Sequence, residues 1–280
     1  MNIADILNEG TNILKKNKII NPQLDVEILL SKLINKDKKY LILNPKEILN
    51  PEKLDIFKSL IERRKKGEPI AYLINKKAFW KNEFFVNKHV LIPRPDTELL
   101  VEKILKTCSK KTQLQILDIG TGSGCILLSL LKERSKDYGT GIDISKKSIN
   151  VSKINAKLLN LNNRTKFFHS SIDNFSFGKY DIIVSNPPYI ELVNLKYLEK
   201  DVVNFEPKLA LNGGLDGFSK IKTVISKANS LIKKNGKLIL EIGFNQKVRV
   251  KEMLKKQGFY VNQTFRDHGN NDRCIISTKI

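Results

Sequence analysis

The chain has 280 residues, 41% of them hydrophobic, and sets 50 Lys and Arg against 29 Asp and Glu for a formal net charge of +21. That length can bury either one large or two ordinary cores, and two domains are expected, while no apolar run approaches the roughly 18 residues that a membrane span needs. The excess charge is mostly lysine, spread through stretches such as Lys15-Lys16-Asn17-Lys18 and Lys36-Asp37-Lys38-Lys39, whereas base and phosphate recognition favours clustered arginine, so nucleic acid is not expected as a substrate.

The N-terminus, Met1-Asn2-Ile3-Ala4-Asp5, lacks the basic flank and apolar core of a signal peptide, so a cytoplasmic protein without a membrane partner is expected. Residues 1 to about 75 read as helices. Asn21-Pro22 sets a capping residue before proline at a first helical position, and Leu24, Val26, Ile28, Leu29, Leu30 and Leu33 supply that helix with apolar faces. Asn50-Pro51 repeats the device ahead of Leu54, Ile56, Phe57, Leu60 and Ile61. That second helix ends near Gly67 after Arg63-Arg64-Lys65-Lys66, a basic last turn suited to the helix dipole. Residues 76–95 read as a connection, with a hairpin over Ala78 to Val86 whose aromatics pack rather than bind.

From Asp96 to the end, helices alternate with strands at 114–119, 138–143, 165–169, 180–185 and 236–242, with helices at 146–160, 217–233 and 246–256 and two final strands. Such alternation implies an α/β fold with a mostly parallel sheet, whose ligands sit beyond the carboxyl ends of the strands. Leu117-Asp118-Ile119-Gly120-Thr121-Gly122-Ser123-Gly124 runs from a strand through a glycine-rich turn into a helix, the pattern of a nucleotide-cofactor loop. Asp143, roughly twenty residues on, ends the next strand where an acid can accept hydrogen bonds from ribose hydroxyls.

A dinucleotide site is the first competitor, but its fingerprint is G-x-G-x-x-G/A, and Cys125 stands where the last small residue should be. Asp118 suits the ammonium of an amino-acid-bearing cofactor better than a pyrophosphate, so S-adenosyl-L-methionine fits both ends. Asn186-Pro187-Pro188-Tyr189 follows the strand 180–185. The Asn186 oxygen and a prolyl carbonyl, that of Pro187, can accept both N–H bonds of a planar NH2 group, and Tyr189 can stack on it. That points to methyl transfer to nitrogen. Cys108, Cys125 and Cys274 are too far apart for a metal or disulfide framework, and His89, His169 and His268 are equally scattered, so core or surface roles are expected.

Pro93-Arg94-Pro95-Asp96-Thr97-Glu98, the glycine loop and Asn186-Pro187-Pro188-Tyr189 occur in an order that resembles the bacterial release-factor glutamine methyltransferase family. Gly67-Glu68-Pro69-Ile70-Ala71-Tyr72, Phe79-Trp80, Asn204-Phe205-Glu206-Pro207, Leu240-Glu241-Ile242-Gly243 and the Asp267 to Asp272-Arg273 element add to it. The resemblance implies a class I methyltransferase, Rossmann-like, with a seven-stranded sheet whose last strand is antiparallel and with a small N-terminal helical domain. Its boundaries would be 1–75 for substrate positioning, 76–95 for the connection and 96–280 for catalysis. It also implies methylation, with S-adenosyl-L-methionine, of the glutamine amide in the Gly-Gly-Gln motif of class 1 peptide-release factors. Asn186, Pro187 and Tyr189 would then be catalytic, and Asn186 to Tyr189 would hold substrate. Asp118, Gly120, Thr121, Gly122, Ser123, Gly124, Asp143, Ser171 and Asn186 would hold cofactor, with no metal.

The chain departs from the family pattern at Asp96, usually Glu, and at Ser170 and Ser171, where an acid and a bulky residue are usual near the adenine. Asn270 replaces a usual glycine and is the non-glycine residue that best tolerates positive φ. The segment holding Glu206 and Pro207 is expected to shape a substrate entrance, the alternative being a plain surface turn. Adenine-N6 DNA methylation remains an alternative because an exocyclic amine presents the same two N–H groups, as does methylation of a ribosomal-protein glutamine.

Overall fold

The computed structural model describes residues 1–280, and the chain forms two compact units: Met1–Lys76 with Glu199–Phe205, and Lys77–Leu198 with Glu206–Ile280. The first is helical, with α1 (Ile3–Lys16), α2 (Pro22–Ile34), α3 (Lys38–Leu43), α4 (Pro51–Lys65) and α5 (Ile70–Ile74). Asn2 caps α1 by accepting the Asp5 N–H at 2.9 Å, and Asn50 caps α4 through the Lys53 N–H at 2.9 Å. Asn21 does not cap: its side chain makes no such bond, and Pro22 alone marks the start of α2.

Ile3, Ile6, Leu14, Val26, Leu29, Leu30, Phe57 and Ile61 form this unit's core. Leu24 and Ile56, expected on apolar faces, are 49% and 45% exposed. The inward face of α2 instead carries Asp25, whose carboxylate meets the Arg64 guanidinium at 2.6 Å. The basic end of α4 therefore has specific partners as well as a favourable dipole: Arg64 holds Asp25, and Arg63 pairs with Glu68 at 2.5 Å. Neither α3, capped by Asp37, nor α5 has enough length to leave a periodic signal in the sequence.

A hairpin of β1 (Lys76–Phe79) and β2 (Asn82–Phe85) comes next, all but Lys76 in the second unit. Phe79 and Phe84 are buried edge to face, 6.1 Å apart. Trp80 takes φ +55° at the turn, an uncommon conformation for a bulky residue. Two carboxylates hold it there: Glu98 accepts its backbone N–H and Glu133 its indole N–H, each at 2.9 Å.

The remaining elements are α6 (Glu98–Thr107), β3 (Gln115–Ile119), α7 (Cys125–Glu133), β4 (Tyr138–Asp143), α8 (Lys146–Leu158), β5 (Thr165–His169), β6 (Tyr180–Ser185), α9 (Lys200–Phe205, in the first unit), α10 (Ser219–Leu231), β7 (Ile232–Glu241), α11 (Lys247–Lys256), β8 (Phe259–Arg266) and β9 (Asp272–Lys279). The sheet order is β5-β4-β3-β6-β7-β9-β8. The pairs from β5 to β7 are parallel, and β9, the last strand, runs antiparallel to both neighbours. This is the class I methyltransferase sheet that the resemblance implies.

Successive strand residues face opposite sides. Ile116, Ile182, Val184 and Ile239 join α6 and α7 in one core, while Leu117, Ile183, Leu238 and Leu240 join α10 and α11 in the other. β7 starts at Ile232, inside the expected helix, because its pairing with β6 resumes across a bulge: Tyr180 lies opposite Ile232 and Ile182 opposite Lys237. Asn235 there takes φ +61°, so the turn-like Asn-Gly pair lies within the strand rather than before it. No helix is long and apolar enough to cross a membrane.

Close packing over β4 needs two glycines. A Cβ on Gly139 would come within 2.7 Å of Leu127 Cδ1, and one on Gly141 within 2.7 Å of Phe167 Cδ1. Gly139→Ala is expected to destabilise the protein by about 1–3 kcal/mol, read as a lower urea midpoint with an unchanged slope; an unchanged midpoint would show that α7 can shift freely.

Candidate functional site

Strand addition reverses between β3 and β6, which are adjacent in the sheet but separated in sequence by β4 and β5. Ile119 pairs with Ser185, and the Ser185 hydroxyl donates to the Ile119 carbonyl at 2.7 Å. The residues that follow, Gly120 and Asn186, therefore leave the sheet side by side at its carboxyl edge, the switch point where such folds bind ligands.

The glycine loop is held from beneath. The Ile142 carbonyl accepts both the Gly120 and Thr121 N–H at 2.9 Å, and Gly124 N–H reaches the Thr121 carbonyl at 2.7 Å. Gly120 and Gly124 take φ of +74° and +81°, and a Cβ on Gly120 would meet nothing within 4 Å. The loop thus has the left-handed conformations that glycine supplies and an open face above Gly120. Ser152 donates to the Gly122 carbonyl at 2.8 Å, and Asn155 donates to the carbonyls of Ser123 and Phe85 at 2.8 and 2.9 Å. Asn155 ties the hairpin to the loop, a role of which a mid-helix asparagine gives no outward sign in sequence.

Asp143 has each carboxylate oxygen engaged by one backbone N–H, Gly122 at 3.0 Å and Ser145 at 2.8 Å. It therefore fastens the loop, and its remaining lone pairs can still accept from ribose hydroxyls. Burial raises its pKa, with the two N–H bonds opposing. Asp118 is 1% exposed; its Oδ2 accepts the Thr121 hydroxyl at 2.8 Å, and its Oδ1 has no partner. Burial pushes its pKa up to about 7, and the Asp143 charge adds to the rise. A buried carboxylate oxygen without a donor fits the ammonium of S-adenosyl-L-methionine. Cys125, at the start of α7, is buried and free, and burial pushes its thiol up to about 12.

Asn186 Nδ2 donates to the Thr97 hydroxyl at 3.1 Å, and Thr97 donates to Glu241 Oε2 at 2.7 Å. The Tyr189 hydroxyl donates to Glu241 Oε1 at 3.2 Å and accepts from Arg273 at 3.3 Å, while its ring packs against the second core. Gln246 donates to the Tyr189 carbonyl at 3.1 Å. Asn186 Oδ1 and the Pro187 carbonyl accept no hydrogen bond from the protein. Pro187 is buried and Pro188 half-buried.

The structure brings Asp118, Gly120, Thr121, Gly122, Ser123, Gly124, Asp143 and Asn186 to Tyr189 to one edge of the sheet. Ser123 is 2% exposed, and its carbonyl is the group held by Asn155. Ser170 N–H donates to the Asp143 carbonyl at 3.0 Å, which sets Ser171 next to this edge, where its hydroxyl accepts the Asn174 N–H at 3.3 Å. Asn270 takes φ +63° in the C-terminal turn. Glu206 is no plain surface turn: it is 5% exposed and accepts from Ile92 N–H at 3.1 Å and Arg94 at 2.6 Å. Thr97, Glu241 and Arg273 lie in the stretches that carried the resemblance, but their partners are distant in sequence, and Thr97 next to a helix has the local chemistry of a cap. Its side chain makes no cap bond.

A family model described as the PrmC N-terminal domain matches residues 5–74, and one described as the methyltransferase small domain matches residues 94–204. Among solved structures, a methyltransferase from Pyrococcus furiosus aligns with a TM-score of 0.53 at 20% identity, covering 79% of this chain and 97% of that one, a likeness of fold alone. The sheet, the loop at its switch point and the matched domain define a class I methyltransferase. The bifunctional methyltransferase of Rickettsia bellii is 38% identical over 98% of this chain but only 54% of its own length, so the chain spans about half of that relative. The release factor glutamine methyltransferase of Buchnera aphidicola subsp. Schizaphis graminum is 41% identical, covering 92% of this chain and 93% of that protein. That of subsp. Baizongia pistaciae is 38% identical across 100% of both. The chain belongs to the release factor glutamine methyltransferase family.

The buried Asp118 sets a stability trade. Its folded pKa of about 7 exceeds the ordinary 3.8, so the native state holds this proton more tightly than the unfolded chain. Its contribution favours folding fully below about pH 4 and is lost as pH rises through about 7. Asp118→Asn is expected to raise the Tm of the ligand-free protein by several degrees at about pH 8 and little at about pH 5, while weakening S-adenosyl-L-methionine binding. A Tm difference that does not change with pH would contradict it.

Proposed function

We propose that this chain transfers a methyl group from S-adenosyl-L-methionine to the side-chain amide nitrogen of the glutamine in the Gly-Gly-Gln motif of class 1 peptide-release factors. The observation that carries the reading is the pair of unused acceptors, Asn186 Oδ1 and the Pro187 carbonyl, on a ledge beside the open face of the glycine loop. Kinship to proteins named for this activity supports it over DNA methylation.

When bound, S-adenosyl-L-methionine supplies an electrophilic methyl, whose bond to sulfur breaks as the bond to nitrogen forms. Asp118 Oδ1 would hold the cofactor ammonium, Asp143 its ribose and the loop backbone its close side, with Ser171 toward the adenine. Asn186 and the Pro187 carbonyl accept the two amide N–H bonds, turning the nitrogen lone pair out of conjugation and toward the methyl. Pro188 stiffens the ledge, and Tyr189 closes its far side against the flat amide. No strong base is needed: a methylated amide nitrogen sheds its proton readily to those carbonyl oxygens and on to water. The helical unit Met1–Lys76 positions the protein substrate, and such a substrate places the enzyme in the cytoplasm.

Radiolabelled transfer to a purified release factor, to its Gly-Gly-Gln glutamine-to-alanine variant and to unmethylated DNA tests the reading. Label in the native factor alone is the expected result, and label in DNA, or in the variant, would overturn it. Asn186→Ala is expected to lower kcat about 100-fold while leaving the calorimetric Kd for the cofactor within about twofold; near-normal turnover would dismiss the two-acceptor grip.

A further inference from the structure

Something must compel Asn186 to face outward with its oxygen rather than its NH2. The two ends of a carboxamide have nearly the same shape, so shape alone does not choose between them. Hydrogen-bond polarity does. Arg273 has donors and no acceptor. Its Nη1 donates to the Tyr189 hydroxyl at 3.3 Å, so that hydroxyl accepts from Arg273 and directs its own proton to Glu241 Oε1 at 3.2 Å. Burial lifts the pKa of Glu241, 2% exposed, to about 7 against the pull of Thr97, Arg273 and Tyr189, so above that pH it is a carboxylate that offers only acceptors, and its Oε2 takes the one proton of Thr97 at 2.7 Å. Thr97, 3% exposed, is then left with lone pairs alone on the side that meets Asn186 at 3.1 Å. Only Nδ2 can satisfy it.

We infer that Thr97 and Glu241 are positioning residues that fix the polarity of the Asn186 carboxamide, so that its oxygen is the group presented to the substrate amide. Neither touches a reacting atom. With Asn186 reversed, its NH2 would meet the N–H bonds of the incoming amide, donor against donor, and the grip would be lost. The inference rests on the proposed amide substrate for its consequence, although the polarity itself does not.

The relay gives Thr97 a requirement that a packing role would not: the hydroxyl matters and the methyl does not. Thr97→Val keeps the shape and removes the hydroxyl, and it is expected to lower kcat for methyl transfer to a release factor about 10- to 100-fold, with the cofactor Kd within about twofold, while the loss of a donor to buried Glu241 lowers Tm. Thr97→Ser restores the turnover. Glu241→Gln supplies a carboxamide that can donate to Thr97, whose proton then goes to Asn186 and draws Oδ1 inward; its kcat is expected to fall as in Thr97→Val. A Thr97→Val enzyme with kcat within about twofold of wild type, or a Thr97→Ser enzyme as impaired as the valine variant, would overturn the relay.

A neutron structure of the wild-type protein at about pH 8, where Glu241 is ionised, reads the polarity without any substrate. Two deuterons on the Asn186 atom facing Thr97 are expected, and an oxygen there would refute the inference. Wild-type protein that transfers no methyl to the release factor would count against the proposed substrate, while the neutron result would still decide the relay.

Discussion

The parallel pairing of β3 with β6 brings Ile119 opposite Ser185, and everything chemical in the chain is arranged from that junction. The glycine loop and the Asn-Pro-Pro-Tyr ledge are 66 residues apart along the chain at this point of contact, yet each begins one residue past the same ladder rung. A register slip of one residue would exchange the two faces of β6, burying the wrong side chains in both cores. Ile182 and Val184 on one side and Ile183 on the other therefore specify the alignment of the ledge as well as the stability of the sheet.

Two carboxyl groups are kept dry on this edge, and burial lifts each to about 7. Asp118 is under-satisfied, with one oxygen lacking a donor, whereas Glu241 receives Thr97 and Tyr189 on its two oxygens. The difference separates their uses. A group whose partner is missing from the protein is suited to something that arrives from outside, and a group whose partners are all present is suited to holding neighbours in place. Asp143 lies between the two cases: its oxygens fasten the loop to β4 and α8 while the carboxylate keeps capacity for more donors.

The glycine loop, the ledge and the alternating elements were legible because each rests on local chemistry: glycine at positive φ, proline without an N–H, and apolar periodicity. What stayed hidden depends on residues remote in sequence. Thr97 and Glu241 are 144 positions apart, and Arg94 and Glu206 are 112 apart. Alone, the first of each pair resembles a cap or a surface charge, and Glu206 resembles part of a turn. The bulge in β7 was missed for the opposite reason. Asn235 and Gly236 have strong local turn chemistry, but pairing with β6 on both sides of them keeps the strand going. Asp25 shows the same override, because a charge facing inward on α2 breaks the apolar pattern until Arg64 is seen beside it.

The buried thiol at the head of α7 bears on selectivity among nucleophiles. Sulfur attacks an electrophilic carbon far better than an amide nitrogen does, but only as thiolate. Cys125 follows Gly124 directly, at the end of the loop proposed to hold an alkylating cofactor, and burial pushes its thiol up to about 12. At neutral pH it remains almost wholly protonated and shielded by the core. The dryness that packs α7 against the sheet thus keeps this thiol from serving as a ready nucleophile beside the glycine loop.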